Sequence, residues 1–134
     1  MKPIVNLILV DTVKYSRAHT WARVEDETIV VGISDYAQEQ LGEIIFIELP
    51  LVGDRFDVDA VFGAVESTKS VSDLYMPVGG EIVAVNESLV DSPEQVNSAP
   101  YTGGWMTGVK TEDPAPGETL LSVESYRKML LQSG

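Results

Sequence analysis

Glycines, prolines and short polar clusters cut this chain into strand-sized pieces, and that punctuation limits the fold more than any other property of the sequence. Trp21–Glu25 and Thr28–Gly32 carry Val, Ile, Thr and Trp around the acidic turn Asp26-Glu27 and read as a hairpin. Glu43–Leu49 is the next candidate strand. It stops at Pro50, because the residue before a proline is pushed into extended backbone and the proline has no N–H with which to continue a ladder. Arg55–Val58, Val61–Ser67, Ser70–Tyr75, Gly80–Val85 and Trp105–Lys110 follow, set apart by Gly53, Pro77, Gly79-Gly80 and Gly103-Gly104. Segments this short bury a face only against each other, so their regular spacing predicts a mainly β sandwich or barrel of antiparallel strands.

Two helices are predicted. Ser34-Asp35 supplies an N-cap, Tyr36, Ala37 and Leu41 fall on one side, and Gly42 is the stop, giving a short helix near 34–41. Ser122 caps a second, near 122–131, in which Val123, Tyr126 and Leu130 form one apolar stripe to close over the sheets. Arg127 and Lys128 stand toward its C-terminal half, the favourable end of the helix dipole. Residues 86–101, with Pro93, Asn97 and Pro100, form a long connection holding one helical turn around Pro93–Val96, and Pro114-Ala115-Pro116-Gly117 is a second break. Residues 1–13 read as an N-terminal arm or an extra strand, and 14–134 as a single domain. Glycines at 63, 79 and 80 read as structural, serving close backbone approach or positive φ.

Composition removes several function classes. The chain has no cysteine, which excludes a protein thiol nucleophile, a Cys-ligated metal and any disulfide framework. His19 is the only histidine, which excludes a multi-histidine zinc site and leaves a Ser-His hydrolase a single base. No metal and no catalytic residue are assigned. The formal net charge is −12, and residues 25–109 hold sixteen Asp or Glu against two basic residues, Arg55 and Lys69. Such a surface is expected to bind neither nucleic acid nor an anionic membrane, because each phosphate contact needs a cation. No apolar run approaches the roughly 20 residues of a membrane span, and Ile4–Val10 is followed by no small-residue cleavage pattern. A cytoplasmic monomer is expected.

Lys69 is the basic residue that stands out. Val61–Val65 leads up to it and Val71–Tyr75 leads away, leaving Glu66-Ser67-Thr68-Lys69-Ser70 as a turn that projects one amine clear of the body. Within forty residues on either side the only other cation is Arg55, so an enzyme that modifies one lysine has a single target there.

The run Val65–Tyr75, followed by Pro77-Val78 and Gly80-Glu81-Ile82, closely resembles the lipoyl-lysine hairpin of the H-protein family of the glycine cleavage system. Further blocks match in the same order: Lys14-Tyr15-Ser16 before His19-x-Trp21, Val31–Gln38 with Leu41-Gly42-Glu43, Glu48-Leu49-Pro50, Asp91-Ser92-Pro93-Glu94-x-Val96-Asn97, Pro100-Tyr101 and Gly104-Trp105. The resemblance implies a lipoyl-domain-like barrel-sandwich hybrid, with lipoate in amide linkage on Lys69. Biotin carriers usually have methionine on both sides of their lysine. Thr68 and Ser70 stand there in this chain, which favours lipoyl over biotinyl.

The implied role is a non-catalytic carrier that takes an aminomethyl group from a pyridoxal-phosphate glycine decarboxylase to a folate-dependent aminomethyltransferase. Dihydrolipoyl dehydrogenase would reoxidise it, and a lipoate ligase or lipoyltransferase would load it. Glu66, Ser67, Thr68, Ser70 and Asp73 are the candidate residues by which those partners read the hairpin, and His19, Thr20, Tyr36 and Gln40 are candidates for a cleft where the arm rests. From the residues alone, His19 reads as a hydrogen-bonded structural histidine and Trp21 and Trp105 as core or lid aromatics. One position departs from the family: His19-Thr20-Trp21 stands where His-Glu-Trp is typical, replacing a carboxylate expected to hold the aminomethyl amine with a neutral hydroxyl. That departure keeps a second reading in view, a paralogous lipoyl carrier serving sulfur oxidation or lipoyl relay.

Overall fold

The computed structural model of the chain describes residues 7–111 and 118–133. Nine strands and four helices follow one another as β1 (Lys14–Tyr15), β2 (Thr20–Glu25), β3 (Thr28–Ile33), α1 (Asp35–Leu41), β4 (Ile44–Glu48), β5 (Arg55–Phe56), β6 (Val61–Ser67), β7 (Val71–Tyr75), β8 (Gly80–Val85), α2 (Ser88–Asp91), α3 (Gln95–Ser98), β9 (Thr107–Lys110) and α4 (Val123–Ser133). One antiparallel sheet runs β1-β2-β3-β9-β8-β5 and the other β4-β6-β7.

Strand periodicity explains how the layers assemble. In β2 and β3, Ala22, Ile29, Val31 and Ile33 face the small sheet, where they meet Ile44, Ile47, Phe62, Val65 and Leu74 in the main core. Trp21 points the other way, into a second core with Tyr15, Tyr101, Tyr126 and Leu130. The large sheet is therefore covered on one face by the small sheet and on the other by α4 and residues 7–13. Room for the indole is made at Gly32, Trp21's register partner, where a Cβ would lie 2.6 Å from the ring. Leu7 and Val13 are buried, and residues 7–13 hold no strand. Residues 1–6 of the expected arm and the Pro114–Gly117 break lie outside the described residues.

The expected elements are present with shifted ends. Ser34 Oγ accepts from Ala37 N and Gly42 ends α1 at φ +77°, as the cap and stop signals require. Arg55–Val58 pairs over only two residues, because the chain turns at Asp59 (φ +68°) to begin β6. The 86–101 connection holds two short helices rather than one turn, with Pro93 between them. β1 was not expected; it exists because Tyr15 pairs with Trp21 on one side and exchanges backbone hydrogen bonds with Leu121 on the other. Among the described residues no helix is long and apolar enough to cross a membrane.

Candidate functional site

Lys69 sits in the turn between β6 and β7, exposed, and one serine shapes that turn. Ser67 is 6 % exposed; its Oγ accepts from Lys69 N at 3.1 Å and Ser70 N at 3.2 Å, and its own N–H donates to Ser70 O at 2.8 Å. The serine thus does for the turn what a backbone carbonyl would otherwise do. Thr68 N donates to Glu43 O at 3.0 Å, fastening the tip to the junction of α1 and β4. The Lys69 stem then lies across Gly42, where a Cβ would come within 3.1 Å of Cε and 3.5 Å of Nζ. Among the described residues its ammonium makes no ion pair.

Gly42 is itself held from below. Asn97, on α3, donates Nδ2 to Gly42 O at 2.8 Å and to Gln38 Oε1 at 2.9 Å, and its Oδ1 accepts from Ile44 N at 2.9 Å. Gln38 Nε2 donates to Asp35 Oδ1 at 2.6 Å, and Asp35 Oδ2 accepts from Ile8 N at 2.8 Å. A continuous run of side-chain hydrogen bonds therefore links residue 8, the inner side of α1, α3 and the start of β4 beneath the lysine.

The other end of α1 carries an aromatic cluster. His19 packs its ring 4.8 Å from Tyr36 and places Nδ1 2.7 Å from the Tyr126 hydroxyl, which is also 2.7 Å from Ser34 Oγ. Its backbone is left-handed at φ +70°, a conformation that costs a non-glycine residue roughly 1–3 kcal/mol and is held here by His19 O accepting from Ser34 N at 3.0 Å. Burial pushes the imidazole pKa below its ordinary 6.5. Burial likewise raises the phenols of Tyr15, Tyr101 and Tyr126 above 10.

The structure brings His19 and Tyr36 together at one end of α1 and Lys69 to the other. From Tyr36 to Gly42 is six residues, or about 9 Å at ~1.5 Å per residue. Gln40 is exposed on the helix between them. Glu66 and Asp73 are exposed on β6 and β7, and Glu66 shares a row of the small sheet with the exposed Phe46 and Val71. Thr68 and Ser70 flank the lysine, both exposed.

Thr20 is 1 % exposed. Ser16 Oγ, which accepts from Ala18 N and Thr20 N, lies 2.7 Å from Thr20 Oγ1, and Thr20 Oγ1 donates to Tyr75 O at 3.2 Å. The hydroxyl closes the base of the β6–β7 hairpin against β2. Sequence reasoning did not single out Ser16, Gln38, Asn97 or Tyr126 as site residues. Gln38, Asn97 and Tyr126 act through contacts with chain positions far from their own, whereas Ser16 acts locally, on Ala18, His19 and Thr20; the polar character of Asn97 inside an otherwise helical connection was a further local signal. Among the described residues no group of three acidic, histidine or cysteine side chains converges to hold a metal.

A family model described as Glycine cleavage H-protein matches residues 13–133. The glycine cleavage system H protein of Halalkalibacterium halodurans is 48 % identical over 122 residues, which cover 91 % of this chain and 95 % of that protein. That of Bacillus cereus strain AH187 is 48 % identical, over 91 % and 96 % of the two chains. Among solved structures, a glycine cleavage system H protein from Mycobacterium marinum superposes with a TM-score of 0.84 at 34 % identity, covering 90 % of this chain and 98 % of its own.

Proposed function

Because this chain belongs to the glycine cleavage H-protein family, we propose that it is the lipoyl carrier of a glycine cleavage system and that Lys69 is the residue to which lipoate is joined. It is a carrier component, not an enzyme. Membership in that family favours glycine cleavage over the sulfur-oxidation and lipoyl-relay alternative. The enzymes that meet it are, in this reading, the pyridoxal-phosphate decarboxylase, the folate-dependent aminomethyltransferase, dihydrolipoyl dehydrogenase and a lipoate ligase or lipoyltransferase. A cytoplasmic location belongs to the same proposal, supported by the bacterial relatives.

The observation that carries the assignment is an exposed lysine at a hairpin tip whose backbone is pinned by Ser67 and whose ammonium is not engaged by a carboxylate among the described residues. A ligase that presents an activated acyl group needs such an amine and no neighbouring base. Lipoate, once bound, supplies a dithiolane that opens to two thiols, and a chain without cysteine offers no internal thiol for disulfide exchange with it. Ser67 holds the attachment point, and Gly42 gives the lysine stem a surface to lie on. From there α1 leads along Gln40 to His19 and Tyr36, within reach of an octanoyl-length arm. Exposed Glu66 and Asp73 beside the tip suit the basic surface of an approaching enzyme, as does the net charge of −12.

The test is intact mass. After co-expression with a lipoate ligase the chain gains one lipoyl increment, and Lys69→Arg abolishes it. An unmodified wild-type mass, or an increment that survives Lys69→Arg, removes the assignment.

A further inference from the structure

Tyr126 belongs to α4, is fully buried, and stacks its ring on Tyr15 at 4.3 Å and 2°. Its hydroxyl bridges His19 Nδ1 and Ser34 Oγ, each at 2.7 Å. The direction of the protons along this chain follows from counting. Ser34 is 0 % exposed and its oxygen accepts from Ala37 N, capping α1. The serine's own hydrogen has one acceptor among the described residues, the Tyr126 oxygen. A buried hydroxyl hydrogen without an acceptor loses more than a paired one gains, so Ser34 donates to Tyr126. Tyr126 has one hydrogen left and donates it to His19 Nδ1. The imidazole proton is therefore on Nε2. Protonating the ring would turn Nδ1 into a donor, reverse the relay and strand the serine hydrogen, which acts in the same direction as the burial that already disfavours the cation.

We propose that Tyr126 is a positioning residue for the carrier arm: through the Ser34–Tyr126–His19 relay it holds His19 neutral, with its Nε2–H offered to a sulfur of the arm. Nε2 has no protein partner among the described residues, and the half-buried ring stands beside Tyr36 at the far end of α1 from Lys69. An N–H donor has nothing to offer an ammonium, whereas a thiol, thiolate or disulfide sulfur accepts it. A neutral ring also adds no positive charge beside a cationic cargo. The same hydroxyl fixes the N-cap of α1, so α4 sets both the orientation of the helix that leads away from Lys69 and the donor at its end. The part of this inference that concerns the arm rests on Lys69 carrying lipoate; the part that concerns the tautomer does not.

With one histidine in the chain, long-range proton–nitrogen correlation spectra of histidine-labelled protein at neutral pH read His19 alone. The unlipoylated protein is expected to show the single Nε2–H tautomer. Tyr126→Phe, which keeps the stack on Tyr15, is expected to lose that pattern and approach the mixture of a free imidazole. An Nδ1–H pattern in the wild type, or an unchanged pattern in Tyr126→Phe, overturns the relay; should the variant fail to fold, the wild-type spectrum decides. In protein shown by mass to be lipoylated and then reduced, the His19 Nε2 resonance is expected to shift. No shift overturns the arm contact and leaves Lys69 as the attachment site, whereas a missing mass increment overturns both the arm contact and that site.

Discussion

Replacing Asn97 by alanine tests whether the support beneath the lysine is built as described. The side chain makes three hydrogen bonds, to Gly42 O, Gln38 Oε1 and Ile44 N, at 2.8–2.9 Å. A buried or half-buried hydrogen bond contributes about 1 kcal/mol net, so losing three costs about 3 kcal/mol. Unfolding entropy of about 2.1 cal/mol/K per residue gives about 0.28 kcal/mol/K for a chain of 134 residues, and the melting temperature should fall by about 11 °C. Thermal unfolding followed by circular dichroism measures this directly. Asn97→Asp refines it: the carboxylate still accepts from Ile44 N but faces two oxygens it cannot donate to, so at neutral pH it should be no more stable than the alanine variant. Because Gly42 carries the Lys69 stem, initial rates of ligase-catalysed lipoylation, read by mass, should fall in both variants at temperatures where both are folded. A melting temperature within about 3 °C of wild type for Asn97→Ala would refute the reasoning, because the three bonds would then be replaced by water at no cost.

Three further outcomes follow from the geometry. Gly42→Ala puts a Cβ at φ +77°, ψ −153° and 3.1 Å from Lys69 Cε; a loss of about 1–3 kcal/mol, some 4–11 °C in melting temperature, is expected together with displacement of the lysine stem seen as altered Lys69 Cε shifts, and an unperturbed lysine spectrum would count against the contact. Thr20→Glu places a carboxylate at a 1 % exposed position against Tyr75 O and should cost at least about 2 kcal/mol by thermal unfolding; an unchanged melting temperature would mean that the longer side chain escapes to solvent. Tyr15, Tyr101 and Tyr126 have phenol pKa values raised by burial, so the stability they confer is fully present below about pH 10 and lost as pH rises beyond it. Their phenolate absorbance should appear only with loss of the circular dichroism signal, and reversible ionisation of all five tyrosines in the folded protein would contradict the structure.

The parts of this fold legible in the sequence are those whose signals are local. Ser34 and Gly42 bracket α1 because an N-cap and a left-handed stop are written in single residues, and the β2–β3 hairpin follows from β-branched runs on either side of Asp26-Glu27. The place of Lys69 in an exposed turn was legible too, from the strand-forming runs on either side of it. What was not legible depends on pairs far apart in the chain: β1 needs Leu121, Asn97 reaches 55 residues back to Gly42, and Tyr126 reaches 107 residues back to His19. The burial of Thr20 likewise depends on the carbonyl of Tyr75, 55 residues away, which no pattern around position 20 encodes.

The solitary ammonium at the hairpin tip has a consequence for electrostatics. Forming an amide at Nζ erases its positive charge, so the formal net charge passes from −12 to −13, and from residue 56 to residue 109 not one cation remains. Loading therefore switches the field at the tip from mixed sign to uniformly negative, and the two forms separate on anion exchange by that single unit. An enzyme approaching the bare lysine and one approaching a lipoylated arm that has not yet taken up its cationic cargo would meet differently charged faces, so the first should lose less of its association rate than the second as ionic strength rises.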